Sequence, residues 1–245
     1  MTKRKLNLDN VTVDDKALAT ARKILAKAVH SDISNNNDDK MSMINVKYDK
    51  IKSLREKSTH IQFVLDSSGS MSSYKREVIQ AYNELLKRQA RHPGQSTFGF
   101  KTFHQETLPE PLTNPKYLKS FPTQGGTPLF DTIGNTIRMI ENKLPGNNDV
   151  VFIIITDGHD TGALDYPPDV LKPLIEEKQL LGWQFLFCGQ TFGYGNSLSR
   201  SAERIGIPLY NTTDFTDITK MLQQINKLVI SYRQGDIKQI TFTKE

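Results

Sequence analysis

From His60 onward, short apolar runs of strand length alternate with longer stretches whose apolar residues recur three and four positions apart. Few folds accept that alternation. Period-2 runs need a sheet, and 3.6-period stretches need a helix packed on it, so the pattern predicts an α/β fold with a mostly parallel sheet. The runs 61–65 (IQFVL), 97–103 (TFGFKTF) and 183–187 (WQFLF) predict strands. The run 150–155 (VVFIII) is the most hydrophobic, which places it at the centre of the sheet with both faces covered. Helices are predicted over 74–90, with Val78, Tyr82, Leu85 and Leu86 on one face, and over 171–181, 197–205 and 217–232. Asn114-Pro115 and Thr127-Pro128 each pair a capping residue with a proline suited to a first helical turn. They open a short helix and a longer one carrying Ile133, Ile137, Ile140 and Leu144. Residues 208–210 predict a short, edge-like strand.

Ahead of this body lies a different kind of sequence. Residues 1–57 hold 13 Lys/Arg and 8 Asp/Glu, while the remaining residues hold 19 of each. The whole net charge of +5 therefore belongs to the first 57 residues. Residues 13–30 predict a helix with Leu18, Ala21, Ile24, Leu25, Ala28 and Val29 on one face. Residues 31–39 (SDISNNNDD) predict a linker, and 43–57 suit either a short strand or a charged helix. A basic arm can meet nucleic acid or an acidic partner, and it can equally be a solvated helical face. This arm lacks the aromatic interleaving and dense arginines of a nucleic-acid surface. The expected division is an N-terminal extension over 1–57, a body over 58–235 and a tail over 236–245.

No apolar run approaches the about 20 residues that span a bilayer, and no secretory h-region follows the basic N-terminus. One cysteine, Cys188, excludes an intramolecular disulfide. Its place at the end of an apolar run predicts a buried small hydrophobe. These features predict a cytoplasmic protein without membrane association.

In a doubly wound sheet, ligands bind beyond the carboxyl ends of the strands. Three loops there carry oxygen donors: Asp66-Ser67-Ser68-Gly69-Ser70 after the first strand, Gln124-Gly125-Gly126-Thr127-Pro128 before the long helix, and Thr156-Asp157-Gly158-His159-Asp160 after the VVFIII run. Each loop by itself has an ordinary explanation, as a turn or a helix start. Together they bring two carboxylates and three hydroxyls to one end of the sheet. Hard oxygens of this kind suit Mg²⁺ or Ca²⁺ rather than Zn²⁺. The glycines are expected to let the backbone turn sharply around a common centre.

Asp66-x-Ser68-x-Ser70, Thr127 within GGTPLFDTI and Asp157 in TDG resemble the metal-ion-dependent adhesion site of the von Willebrand factor A (vWA) domain family, over a match running from His60 to Tyr232. The stretch 182–210 resembles small bacterial or phage-type members. The resemblance implies a Rossmann-like, doubly wound sheet with one short antiparallel edge strand. It implies a metal, Mg²⁺ or alternatively Mn²⁺ or Ca²⁺, held by the hydroxyls of Ser68, Ser70 and Thr127, with Asp66 and Asp157 acting largely through water. It also implies a partner protein that supplies an Asp or Glu carboxylate to the metal; intracellular relatives are often tied to AAA+ ATPases or to stress and defence systems.

A Mg²⁺ ion near carboxylates also suits phosphoryl transfer or hydrolysis, with His159, Asp160 and His104 as neighbouring candidates. His159 is more simply a turn histidine. The chain has no P-loop, GxSxG elbow or HExxH motif. The expectation is a binding module and not an enzyme. Phe192 and Tyr194, in the loop GQTFGYGNS, are candidates for an aromatic wall beside the site, or for a loop folded back on its own helix.

Overall fold

The computed structural model describes residues 20, 23–24, 41–49, 58–92, 96–102, 106–111, 117–123, 126, 128–144, 148–156, 160, 162–189, 197–214 and 217–242. Within these, β1 (Thr59–Leu65) leads through a 3₁₀ turn (Gly69–Tyr74) to α1 (Lys75–Gln89). There follow β2 (Ser96–Thr102), β3 (Glu106–Pro111), α2 (Leu129–Lys143), β4 (Asp149–Thr156) and α3 (Pro168–Leu180). The chain then adds β5 (Gln184–Gly189), α4 (Ser197–Arg204), β6 (Thr212–Asp214) and α5 (Ile218–Arg233). The six strands form one sheet in the order β3-β2-β1-β4-β5-β6. All pairs are parallel except β2 with β3. This is the α/β, mostly parallel sheet that the alternation predicts, with the doubly wound order and antiparallel edge that the resemblance implies.

The strand residues alternate between the two faces with period 2. Ile61, Phe63, Leu65, Val151, Ile153, Ile155, Leu186 and Cys188 face α1 and α5. Val64, Val150, Phe152, Ile154, Phe185 and Phe187 face α2, α3 and α4. β4 lies between β1 and β5 and is buried from Val150 to Thr156, so the VVFIII run is central, as its composition requires. Cys188 is fully buried and free, and burial pushes its thiol well above the ordinary range. On the first face Tyr82 of α1 meets Phe63, Phe98 and Phe100 edge-on, with ring centroids 5.2–5.3 Å apart. No helix among the described residues is long and apolar enough to cross a membrane.

Several elements differ from the sequence expectation. β3 reads ETLPEP and has no apolar run, so it gives no strand signal. Its prolines are tolerated because it is an edge strand, paired among the described residues with β2 only. The edge-like strand expected at 208–210 is instead a 3₁₀ turn over Leu209–Asn211. There the Asn211 side-chain amide donates to the Phe185 carbonyl at 2.9 Å, doing by side chain what strand pairing would do by backbone. Pairing with β5 begins only at Thr212. Asn114-Pro115 lies outside the described residues, and residues 117–123 carry no helix. The Asn83 side chain takes both backbone groups of Leu118, at 2.8 and 2.9 Å, which a helix would have used otherwise.

In the N-terminal region, residues 41–49 are helical, which settles the strand-or-helix choice for that part. Met41, Ile44, Asn45 and Tyr48 are half-buried, at the spacing of one helical face. Of the helix expected over 13–30, Thr20, Lys23 and Ile24 are described and helical; the rest, like the linker 31–39 and residues 50–57, lies outside the described residues.

Candidate metal centre

The strand order reverses between β1 and β4, since β1 runs on to β2 and β3 while β4 runs on to β5 and β6 in the opposite direction. That reversal opens a crevice at the carboxyl ends of the two central strands. Asp66 stands in it. Its backbone N–H donates to the Ile155 carbonyl at 2.8 Å, extending the β1–β4 ladder by one step.

The Asp66 carboxylate is fully buried and fixed by both of its oxygens. Oδ1 accepts the Ser68 N–H at 2.8 Å, and Oδ2 accepts the Thr156 hydroxyl at 2.8 Å. The first bond folds the chain back in an Asx turn. The second ties the loop after β1 to the end of β4. Ser68 then holds an extended backbone, the Met71 N–H donates to the Ser68 carbonyl at 3.2 Å, and the 3₁₀ turn begins. Buried Met71 pins that turn to the core. The glycine expected to make the turn does not: Gly69 has no left-handed backbone, and a Cβ added there would meet nothing. The turn is set by the Asp66 carboxylate.

The outcome is a pair of hydroxyls at the mouth of the crevice. Ser68 Oγ and Ser70 Oγ lie 2.8 Å apart, with Ser68 nearly buried and Ser70 exposed. Neighbouring oxygens around an octahedral Mg²⁺ are about 2.9 Å apart, because its Mg–O distances are close to 2.1 Å. The pair therefore has the spacing of two adjacent ligands of a hard cation, and without an ion the same spacing is a hydroxyl–hydroxyl hydrogen bond. The donor set fits the metal the resemblance implies. Among the described residues the donors at this point are the two hydroxyls and the buried Asp66 carboxylate behind them.

Thr127 and Asp157 lie outside the described residues, as do His159, His104, Phe192 and Tyr194. Their described chain neighbours are tied to the rest of the crevice. Thr156, which precedes Asp157, is bonded to Asp66. Pro128, which follows Thr127, is the N-cap of α2 and supplies no side-chain cap. Asp160 fills that role from the loop after β4, accepting the Phe130 N–H at 3.2 Å on Oδ1. A carboxylate at a helix N-terminus satisfies an orphan donor and complements the helix dipole. Its Oδ2 accepts the N–H groups of Gly162 and Ala163 at 3.2 and 3.0 Å. Asp160 thus braces the backbone.

Asp131 makes the reciprocal connection. Standing in the first turn of α2, it accepts the N–H groups of Leu164, Asp165 and Tyr166 at 2.9, 3.0 and 2.7 Å. The Tyr166 ring fills the space where a Cβ on Gly134 would stand. At the end of β5, a Cβ on Gly189 would come within 2.2 Å of the Thr156 carbonyl oxygen, so only glycine permits that approach. Thr156, Asp131 and Gly189 are structural supports of the crevice that motif reading does not select, while Asp160, a candidate beside the metal, proves to brace the backbone. Asp131 stands within GGTPLFDTI itself, but a carboxylate that grips a loop more than thirty residues on has no local signature.

The Thr156–Asp66 bond yields a prediction. Thr156→Val keeps the shape and removes the donor, leaving a buried carboxylate oxygen short of one bond. The expected cost is about 1.5–3 kcal/mol, read as a lower urea midpoint in metal-free buffer. A midpoint unchanged within error would mean that the bond does not hold the crevice together.

No family model matches this chain, and no curated protein matches it. Among solved structures it is similar to proximal thread matrix protein 1 from the mussel byssus (16% identity, TM-score 0.49, covering 82% of this chain and 53% of that one). A form of the same mussel protein with a zinc-occupied MIDAS motif aligns with 14% identity, a TM-score of 0.46, and coverage of 80% and 53%. The manganese-loaded Plasmodium vivax TRAP protein aligns with 12% identity, a TM-score of 0.45, and coverage of 69% and 72%. The chain spans about half the length of the mussel structures it matches.

Proposed function

We propose that this chain is a vWA-type, Mg²⁺-dependent protein-interaction module that binds an Asp or Glu carboxylate of a partner protein at its metal site. The observation that carries this reading is the Ser68–Ser70 hydroxyl pair, 2.8 Å apart, set above the buried, doubly bonded Asp66 at the point where the strand order reverses. Ser68, Ser70 and Thr127 would hold the ion directly, with Asp66 and Asp157 behind them through water. Mn²⁺ or Ca²⁺ would satisfy the same oxygens.

When bound, the ion supplies a positive charge that neutral hydroxyls leave incompletely neutralised, together with a position open to an outside carboxylate. The chain's own residues do the rest. Asp66 is buried, so its charge would attract the ion from beneath and leave the outer face to a partner. The two bonds to it keep Ser68 and Ser70 aimed at one point. Asp160 and Asp131 hold residues 162–166 against the first turn of α2. This is a site for binding and not for catalysis. The reading places the protein in the cytoplasm, with a small bacterial or phage-type lineage and a partner such as an AAA+ ATPase or a component of a stress or defence system.

Mn²⁺ binding followed by electron paramagnetic resonance, with Mg²⁺ as competitor, tests the site. The wild type should bind Mn²⁺ and release it to Mg²⁺. Asp66→Asn should weaken binding about 10- to 100-fold, and Ser68→Ala with Ser70→Ala should abolish it while the protein stays folded. Unchanged Mn²⁺ affinity in the double serine variant would place the ion elsewhere and end the proposal.

A further inference from the structure

We infer that the groove between α1 and α5 is a binding site for a small organic acid, whose carboxylate is met by the Asn226 amide and the Lys87 ammonium. The groove encloses about 390 Å³, within the size range of small-ligand pockets, and Tyr117 stands on its rim. It is a second site, built without any residue of the metal centre.

What singles the groove out is an amide held in one orientation by a chain of bonds that starts at an arginine. Arg233 of α5 is buried, and a guanidinium can only donate. Its Nη1 donates to the Gln89 side chain, at the end of α1, at 2.7 Å. The atom that receives it is therefore the oxygen, Oε1, and the Gln89 amide nitrogen faces the other way. That nitrogen donates to Asn226 Oδ1 at 2.9 Å and to the Asn226 carbonyl at 3.2 Å. The Asn226 side chain is fixed in turn, with its oxygen toward Gln89 and its NH₂ away from it. Asn226 is 3% exposed, and it lines the groove. Its Nδ2 makes no hydrogen bond among the described residues and is not sealed inside the protein. A nearly buried donor aimed at a groove calls for an acceptor there.

The rest of the lining selects which acceptor. Arg88 and Glu84 neutralise each other at 2.9 Å, and Asn83 gives both ends of its amide to the Leu118 backbone. Lys87 makes no ion pair among the described residues, so the lining carries one uncompensated positive charge. The floor is apolar, with Ala81, Leu85 and Leu222 all buried. An oriented N–H donor beside a cation favours a carboxylate over a neutral acceptor. An apolar floor favours a hydrocarbon body attached to it.

The test titrates the full chain with three probes of one shape: hydrocinnamate, its neutral amide and phenylpropylamine. EDTA is present throughout, so that the metal site plays no part. Binding is read by heteronuclear NMR on the Asn226 side-chain amide and on the backbone amides of Thr219 and Gln223, which also line the groove. The expected result is saturable binding of hydrocinnamate, about 10-fold tighter than its amide, and none of the amine. Asn226→Asp keeps an acceptor for Gln89 and exchanges the groove-facing donor for a second acceptor. It should lose the acid and gain the amine. Lys87→Glu should weaken the acid about 10-fold. Lys143→Glu makes the same change of charge in the last turn of α2, on the opposite face of the sheet, and should match the wild type.

Hydrocinnamate that binds no tighter than its amide or the amine overturns the inference, as does an absence of saturable binding. Acid binding that survives both Asn226→Asp and Lys87→Glu, or that falls equally with Lys143→Glu, overturns it as well. A short peptide with one internal Asp is the remaining arm. If it binds better than hydrocinnamate, the groove takes a protein carboxylate and the small-acid inference fails. None of these outcomes bears on the metal reading, which the Mn²⁺ experiment decides by itself.

Discussion

Deleting residues 236–245 is expected to lower the stability of the domain by about 3–6 kcal/mol, enough to consume a large share of the 5–15 kcal/mol typical of a folded protein. By composition this stretch reads as a tail. In the structure its described residues, 236–242, add two side chains to the core. After α5 the chain turns at Gly235, with φ at +70°, and runs back along the open flank of β5. Ile240 is fully buried and Phe242 is 8% exposed, both within the cluster that includes Leu186, Cys188 and Tyr232. The Ile240 N–H donates to Gln184 Oε1 at 2.9 Å, and the Phe242 N–H donates to the Tyr210 carbonyl at 2.8 Å.

The placement has a reason in the sheet. β6 pairs with β5 only from Phe187 to Gly189, so among the described residues the first half of β5 has β4 on one side and no strand on the other. An uncovered strand edge is an invitation to pair with another chain. The tail and the Asn211 side chain cover it. Urea unfolding of the chain ending at Gly235 checks the estimate, and an Ile240→Ser, Phe242→Ser variant separates side-chain burial from chain length. A midpoint shift worth less than about 1 kcal/mol in both would show that the tail does not belong to the core. Association of the truncated chain should accompany the loss.

The second large effect is acid sensitivity from His60. This histidine lies inside β1, fully buried, with Nδ1 2.9 Å from Thr97 Oγ1 and Nε2 3.1 Å from Gln62 Oε1. Gln62 in turn donates to the Phe63 carbonyl at 2.9 Å. Gly99 of β2 makes room for the pair, since a Cβ there would stand 2.1 Å from Gln62 Oε1. Burial lowers the His60 pKa from 6.5 to about 4, and the hydrogen bond with Gln62 offsets only part of that.

The folded state therefore resists a proton that the unfolded chain accepts at pH 6.5. Between pH 6.5 and 4 the unfolded state binds more protons, so stability falls as the pH falls. The shift corresponds to about 3 kcal/mol over that window. Carboxylates add their own acid dependence to any protein, so the measurement is a difference. Urea midpoints of the wild type and of His60→Gln at pH 7 and pH 4 should converge by about 3 kcal/mol toward the acid end. Parallel pH dependence in the two proteins would mean that His60 is protonated in place.

How much of this was legible in advance differs element by element. Period and composition determined the strands β1, β2, β4 and β5, the central place of VVFIII, the burial of Cys188 and the helices α1 to α5. They did so because one face of each strand or helix must be apolar to be buried, and that demand is written at intervals of two or of three and four residues. Asp66, Ser68 and Ser70 were legible for a related reason: they lie within five residues, so one turn suffices to bring them together. What only the tertiary structure decided involves groups far apart in the chain. ETLPEP becomes a strand because an edge forgives proline. Residues 208–210 remain a turn because Asn211 bonds across to β5. Thr156 holds Asp66, while Asp131 and Asp160 lock α2 to residues 162–166. A carboxylate's partner ninety or thirty residues away leaves no mark on its own neighbourhood, so these contacts exist only once the sheet has closed.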